Sequence, residues 1–321
     1  MKRAFSLFAD PMIAVLVIAT MLAVILPAMG EARYHMQTVS NAAIFALFLV
    51  NGMRIARGEI AKGLANWRFF GPLMLFVFAI MPAGGLGMSL VAQGSLAPMV
   101  ALGFVFLGTL PSTIQSATSY TTLAGGNVAL SVVGAALINI AGVFVTAPLF
   151  ALLAGTEAVT IGADTIVRIG LILILPFVIG QIVQGWAREW VIERKARIVW
   201  LDRIVIGIAV YVAFSGAVEQ GLIAMFTGVD WAILIGLCFA FLAAGSLAAW
   251  GIASALGFVR SDRIAFLFAG PQKSVAIGAP LAAILFAPEI AGFVIAPLLI
   301  YHLMQLVIAA PLASWLAQQQ H

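Results

Sequence analysis

The chain has 321 residues, of which 64% are hydrophobic and 9% charged, with a formal net charge of +4. Soluble domains carry roughly a quarter charged residues, so this composition excludes a water-soluble globular protein and describes an all-α polytopic membrane protein. Cys238 is the single cysteine, which excludes an intrachain disulfide and any multi-cysteine metal site, and the excess positive charge lies in loops, where it reports topology rather than a nucleic-acid surface.

At the N-terminus, Met1-Lys2-Arg3 precedes an apolar stretch from Pro11 to Ala28, longer than a usual signal-peptide core, so it reads as an uncleaved first span. Apolar stretches punctuated by charge or by Gly and Pro then give ten predicted transmembrane helices. They cover 10–29, 38–54, 69–91, 96–124, 127–154, 165–187, 199–217, 228–256, 262–286 and 290–316. With a cytoplasmic N-terminus, Lys2, Arg3, Arg54, Arg57, Lys62, Arg68, Arg188, Arg194, Lys195, Arg197, Arg203, Arg260 and Arg263 fall inside, and only Arg33 and Arg168 fall outside. That bias predicts both termini in the cytoplasm, and the cell inner membrane if the source is bacterial. Glu31, Glu157, Asp164, Glu219, Asp230 and Glu289 gather on the other side.

The charged stretch from Arg188 to Arg203 separates five spans from five. An odd number of spans per half makes the second half enter the membrane from the opposite side, which requires an inverted repeat. The predicted division is a first repeat over 1–190, with a central charged loop starting near 188 and the sixth span from about 165, and a second repeat over 165–321.

Spans four and nine carry the motifs. Span four contains Leu110-Pro111-Ser112-Thr113-Ile114-Gln115-Ser116-Ala117-Thr118-Ser119, and span nine contains Gly270-Pro271-Gln272-Lys273-Ser274. Proline removes a backbone donor and suits the first position of a new helix, so Pro111 and Pro271 predict two broken helices, each restarting at its proline. From Ile264 to Pro288 the only charged side chain is Lys273, and an ionisable group at membrane depth marks a functional site. Paired breaks in the two halves, with polar groups collected at each, are the sequence signature of a transporter's binding site. Asn139 and Gln305 either face that site or bond to neighbouring helices. His302 shares a helical face with Gln305. Gly84, Gly85, Gly87, Gly125 and Gly126 read as close-approach or turn positions.

Phe78-Ala79-Ile80-Met81-Pro82, Gly126-Asn127-Val128-Ala129-Leu130-Ser131 and Tyr301-His302 resemble the bile acid:sodium symporter family over nearly the whole chain. Pro271-Gln272-Lys273-Ser274 with Tyr301-His302-Leu303-Met304-Gln305 is similar to its orphan subgroup. The resemblance implies ten helices in two inverted repeats. Helices three to five and eight to ten would form a core, and helices one, two, six and seven a panel. It implies symport of an organic anion with sodium, held near Ser116, Thr118 and Ser131 at one site and by Gln272 at a second. Phe268 occupies the position of the family's sodium-binding glutamate, Val77 that of a glutamine and Ala135 that of a hydroxyl ligand, which puts two-sodium coupling in question.

Three roles follow for Lys273: a tethered cation beside a substrate anion in place of sodium, a proton carrier, or a side chain that snorkels to water. Candidate substrate-binding residues are Lys273, Ser274, Thr113, Gln115, Asn139, His302 and Gln305. The expected partners are a small organic anion and the lipid bilayer, with no nucleic acid; sodium or a proton is the coupling ion and no other cofactor is expected. The alternative function is a non-transporting membrane regulator on the same fold. No enzyme is expected, because no serine-nucleophile elbow appears and His35, His302 and His321 form no local metal motif.

Overall fold

The computed structural model describes residues 11–54, 58, 66–158, 167–221 and 226–319, without the side chains of 156–158 and 188. Lys2, Arg3, Arg57, Lys62, Asp164 and His321, and the side chains of Glu157 and Arg188, lie outside the described residues. Among the described residues the secondary structure is helical. The helices are α1 (Pro11–Ile25), α2 (Gly30–Arg54), α3 (Trp67–Ala92), α4 (Pro98–Thr109), α5 (Ile114–Leu123) and α6 (Val128–Ala158). After α7 (Leu175–Glu193), which continues a π-helical turn at Gly170–Ile174, come α8 (Lys195–Glu219), α9 (Gly228–Ala255), α10 (Arg260–Ala269), α11 (Val275–Leu285) and α12 (Pro288–Gln318).

Seven of these helices are long and apolar enough to cross a membrane, or eight if α4 and α5, bent by 63° at their break, count as one span. The protein is thus an integral, multi-pass membrane protein. α1 and α11 are apolar but shorter.

Local chemistry explains most irregularities. α3 carries a π-helical turn at Phe76–Ile80, just before Pro82, and the turn at Gly170–Ile174 precedes Pro176 in the same way. A proline ring clashes with the carbonyl four residues earlier, and a widened turn relieves that clash.

Two predicted boundaries shift. α2 starts at Gly30 rather than 38, with Glu31 in its first turn, where the helix dipole favours an acid. The stretch from 188 to 198, expected as a loop, is helical on both sides of Arg194. Helices built from Glu, Arg, Lys and Trp continue past the apolar span instead of ending at its edge.

The chain divides into two compact units. One comprises Met1–Ala56, Ala154–Thr227 and Ala276–Ala296. In it α2 and α7 touch backbone to backbone: a Cβ at Gly52 would lie 2.3 Å from the Phe177 carbonyl, and one at Gly180 2.2 Å from that of Leu49. Arg33 pairs with Glu219 and, at 2.8 Å, with Glu289, while Arg54 pairs with Asp202 at 3.0 Å.

The other unit comprises Arg57–Leu153, Gly228–Val275 and Pro297–His321. Its core includes Phe69, Phe70, Phe76, Phe104, Phe106, Phe266 and Phe268, all buried. α3 meets α4 through Gly85 and Gly108, where an added Cβ on Gly85 would come within 2.4 Å of the Phe104 carbonyl. All the candidate site residues belong to this unit.

Candidate functional site at two broken helices

Both predicted breaks are present, although neither helix restarts at its proline. α4 ends at Thr109 and α5 begins at Ile114; α10 ends at Ala269 and α11 begins at Val275. Pro111 therefore lies inside an extended connection and Pro271 in a bend. Each ring needs a neighbour without a side chain. A Cβ on Gly142 of α6 would fall 2.7 Å from Pro111 Cγ, and one on Gly245 of α9 would fall 3.3 Å from Pro271 Cβ.

A buried break leaves backbone groups that must find partners elsewhere. The first break finds one for every carbonyl from Gly108 to Ser112. Lys273 Nζ donates to the Gly108 carbonyl at 2.9 Å and to that of Leu110 at 2.7 Å. Thr146 Oγ1 donates to Thr109, the Ser274 backbone N–H to Pro111, and Asn139 Nδ2 to Ser112, at 3.1, 3.0 and 2.7 Å respectively. In the second break, Tyr301 donates its hydroxyl to the Pro271 carbonyl at 2.7 Å. Gln305 holds the Lys273 main chain at both ends: its Oε1 accepts from the backbone N–H at 2.8 Å and its Nε2 donates to the carbonyl at 3.0 Å. The same Nε2 lies 2.8 Å from His302 Nδ1, which is also 3.2 Å from the Lys273 carbonyl.

The two breaks thus meet, and the Lys273 side chain joins them. It is 0% exposed, and no Asp or Glu among the described residues lies within ion-pair distance of it. The sequence reading put Lys273 in the first turn of a half-helix, at the positive end of a dipole. Instead it lies before α11, and its terminal nitrogen sits at the C-terminal end of α4, where the last carbonyls are negative and favour a cation.

The structure disperses the other candidates into distinct roles. Ser116 Oγ donates to Gln272 Oε1 at 2.6 Å, and Thr121 Oγ1 to Ser131 Oγ at 3.2 Å. Thr118 Oγ1 and Ser112 Oγ are buried without a hydrogen-bond partner. Ser274 is buried, Thr113 half-buried and Gln115 exposed. Phe268 is buried against Tyr120, with ring centroids 5.8 Å apart, and Val77 is fully buried. A hard cation at the Phe268 and Val77 positions would find a ring and a methyl pair in place of oxygen ligands. A cavity of about 20 Å³, lined by residues including Phe268, Gln272, Gln305 and Ser246, has room for roughly one water molecule.

Sequence reasoning did not single out the Gly108 and Leu110 carbonyls, which carry no side-chain signature. It quoted Tyr301 as a motif residue without assigning it a partner; its spacing of four from Gln305, which puts both on one helical face, is the signal that could have done so.

A model of the SBF-like CPA transporter family matches residues 10–318. The chain belongs to this family. An uncharacterized protein of Pseudomonas aeruginosa is 36% identical over 309 residues, covering 95% of this chain and 92% of the relative. YfeH of Escherichia coli, named as a symporter, is 33% identical over 307 residues with the same coverage. The mouse protein named sodium/bile acid cotransporter 7 is 24% identical over 298 residues, covering 88% of this chain and 85% of its own. Membership in the SBF-like CPA family makes this a transporter rather than an enzyme, and its described helices fit that role.

Proposed function

We propose that the protein is a secondary active transporter of a small organic anion, working by alternating access at the crossing of its two broken helices. The observation that carries this reading is the meeting of the breaks around Lys273: a basic group with no carboxylate beside it among the described residues, inside an apolar interior. An intramembrane site so composed favours cargo of negative charge. The unpartnered hydroxyls of Ser112 and Thr118 supply polar contacts that the fold itself does not use. The cavity of about 20 Å³ is far below the several hundred cubic ångströms of a typical small-molecule pocket, so cargo enters through another conformation.

We read the ten helical segments, with α4–α5 and α10–α11 each one broken span, as two inverted repeats with cytoplasmic termini, in the inner membrane if the cell is bacterial. Side-chain bonds support that alternation, since Arg33, Glu219 and Glu289, all placed outside, join one another, and Asn127 and Asp262, both placed inside, bond at 2.9 Å. The core of the second unit and the panel of the first correspond to the family's two domains in this reading.

A thermal-shift screen of carboxylates, sulfonates and phosphate esters, followed by uptake of the hits into proteoliposomes, tests the proposal. A transported anion present at a hundred times its Kd stabilises the fold by about 2.7 kcal/mol. Uptake confined to cations or neutral solutes would refute the anion reading, and stabilising anions that never cross the membrane would favour a regulator.

A further inference from the structure

The Lys273 terminal nitrogen has the surroundings of a bound ion. Its two acceptors are main-chain carbonyls, from Gly108 and Leu110, and carbonyl oxygens are standard ligands of hard cations. They close the C-terminal end of α4, where the helix dipole attracts positive charge. The side chain is fully buried, which removes the snorkelling role.

Sodium is the ion that the family resemblance implies, and the residues present do not fit it. Phe268 and Val77 replace a carboxylate and an amide at the corresponding positions, and both are buried in contact with the apolar core. Of the four remaining candidate ligands, Ser116 and Gln272 are bonded to each other and Ser131 to Thr121, which leaves Thr118 Oγ1 as the one of them buried without a partner, too few oxygens for a hard cation. With Lys273 charged, a mobile cation brought to this crossing would meet an ammonium in a low-dielectric interior, with no acid among the described residues at ion-pair distance to offset the repulsion.

We infer that Lys273 is a built-in cation occupying the crossing in place of sodium, so that the site is organised, and cargo carried, without a sodium ion. The inference rests on the reading of the crossing as the transport site. It also makes Lys273 a structural tie between the two breaks, which the stability measurements below read without any cargo.

The experiment uses the purified full-length protein. Its melting temperature is measured in sodium, potassium and choline chloride at matched ionic strength, for the wild type and for Lys273→Met and Lys273→Ala. The wild type is expected to melt at the same temperature in all three salts. Both variants are expected to melt lower, and Lys273→Ala to regain stability with added propylammonium, which restores a tethered cation's head group in the emptied space. In proteoliposomes, uptake of an anion found by the screen is expected to change less than twofold when choline replaces sodium, and to fall more than tenfold in Lys273→Met.

A saturable rise in wild-type melting temperature with sodium, absent with potassium and choline, overturns the inference whether or not the variants fold. So does uptake that requires a sodium gradient and survives Lys273→Met. Uptake driven by a proton gradient in sodium-free medium overturns it in favour of a proton-carrying lysine. If no anion is transported, the functional reading fails, while the salt dependence of wild-type melting still decides whether the crossing binds sodium.

Discussion

Gln305 hydrogen-bonds both the N–H and the C=O of one residue, Lys273, from a position that is 1% exposed. Replacing it by leucine leaves the N–H buried without a partner and the carbonyl with His302 Nδ1 alone, 3.2 Å away, and each buried group so deprived costs about 1–3 kcal/mol. Gln305→Leu is accordingly expected to lose roughly 2–4 kcal/mol of unfolding free energy in detergent, and Tyr301→Phe, which orphans only the Pro271 carbonyl, about half as much. Equal stability of the leucine variant and the wild type would show that the second break does not depend on this amide. Gln305, Asn139 and His302 were visible in the sequence as polar residues on apolar helices, but their partners were not. Asn139 and Gln305 bond to the main chain of the breaks, and a backbone carbonyl is the same at every position of a sequence. Lys273 was legible as an anomaly of charge for the same reason that its acceptors were hidden.

At the scale of elements, the breaks in spans four and nine could be read from Pro111 and Pro271 together with the polar residues after each, since proline alone does not end a helix and α6 and α12 run on through Pro148, Pro297 and Pro311. The register of the restart could not. Side chains from α6 and α12 bond to the residues after each proline, which stay non-helical, and helix resumes only at Ile114 and Val275. Glycines beside the rings make this geometry possible. Gly142→Ala would press a methyl into the rigid ring of Pro111 at 2.7 Å, with an expected cost of about 1–3 kcal/mol. Gly87→Ala in α3, where an added Cβ meets nothing within 4 Å, is expected to be neutral or to stabilise by up to about 1 kcal/mol. Thermal unfolding of the pair separates the two, and equal melting temperatures would remove the packing role assigned to Gly142. Gly87 shows the limit of reading glycines from sequence, since Gly85, two residues away, does lie against backbone.

For the molecule as a whole, composition sufficed for an integral membrane protein, because a chain with 9% charged residues has too few to cover a water-soluble surface. Helix ends were less legible: polar residues such as Arg33 and Lys195 continue helices past the apolar stretch, and hydropathy marks only the apolar part. Arg33, one of two basic residues on the predicted outer side, has local partners in Glu219 and Glu289. The proposed orientation has a direct check. Cys238 is buried and donates to the Pro297 carbonyl at 3.5 Å, so the wild type offers little background to a membrane-impermeant maleimide. Arg197→Cys is expected to label only from the cytoplasmic face and Ser95→Cys only from the outer face, both positions being exposed. Labelling of the two from the same side would overturn the topology.

The contact of Lys273 with the Gly108 and Leu110 carbonyls also bears on energy conversion. A ligand fixed to the chain by four methylenes has an effective concentration that neither compartment can alter, so dilution cannot empty the site. It cannot be drawn down a gradient either. In a carrier organised this way, cargo moves with its own concentration difference and with the membrane voltage, and any accumulation against that difference is driven by the voltage, worth about 2.3 kcal/mol per charge at 100 mV. For an anion in a cell that is negative inside, both favour export over uptake whenever the cytoplasm is the richer side.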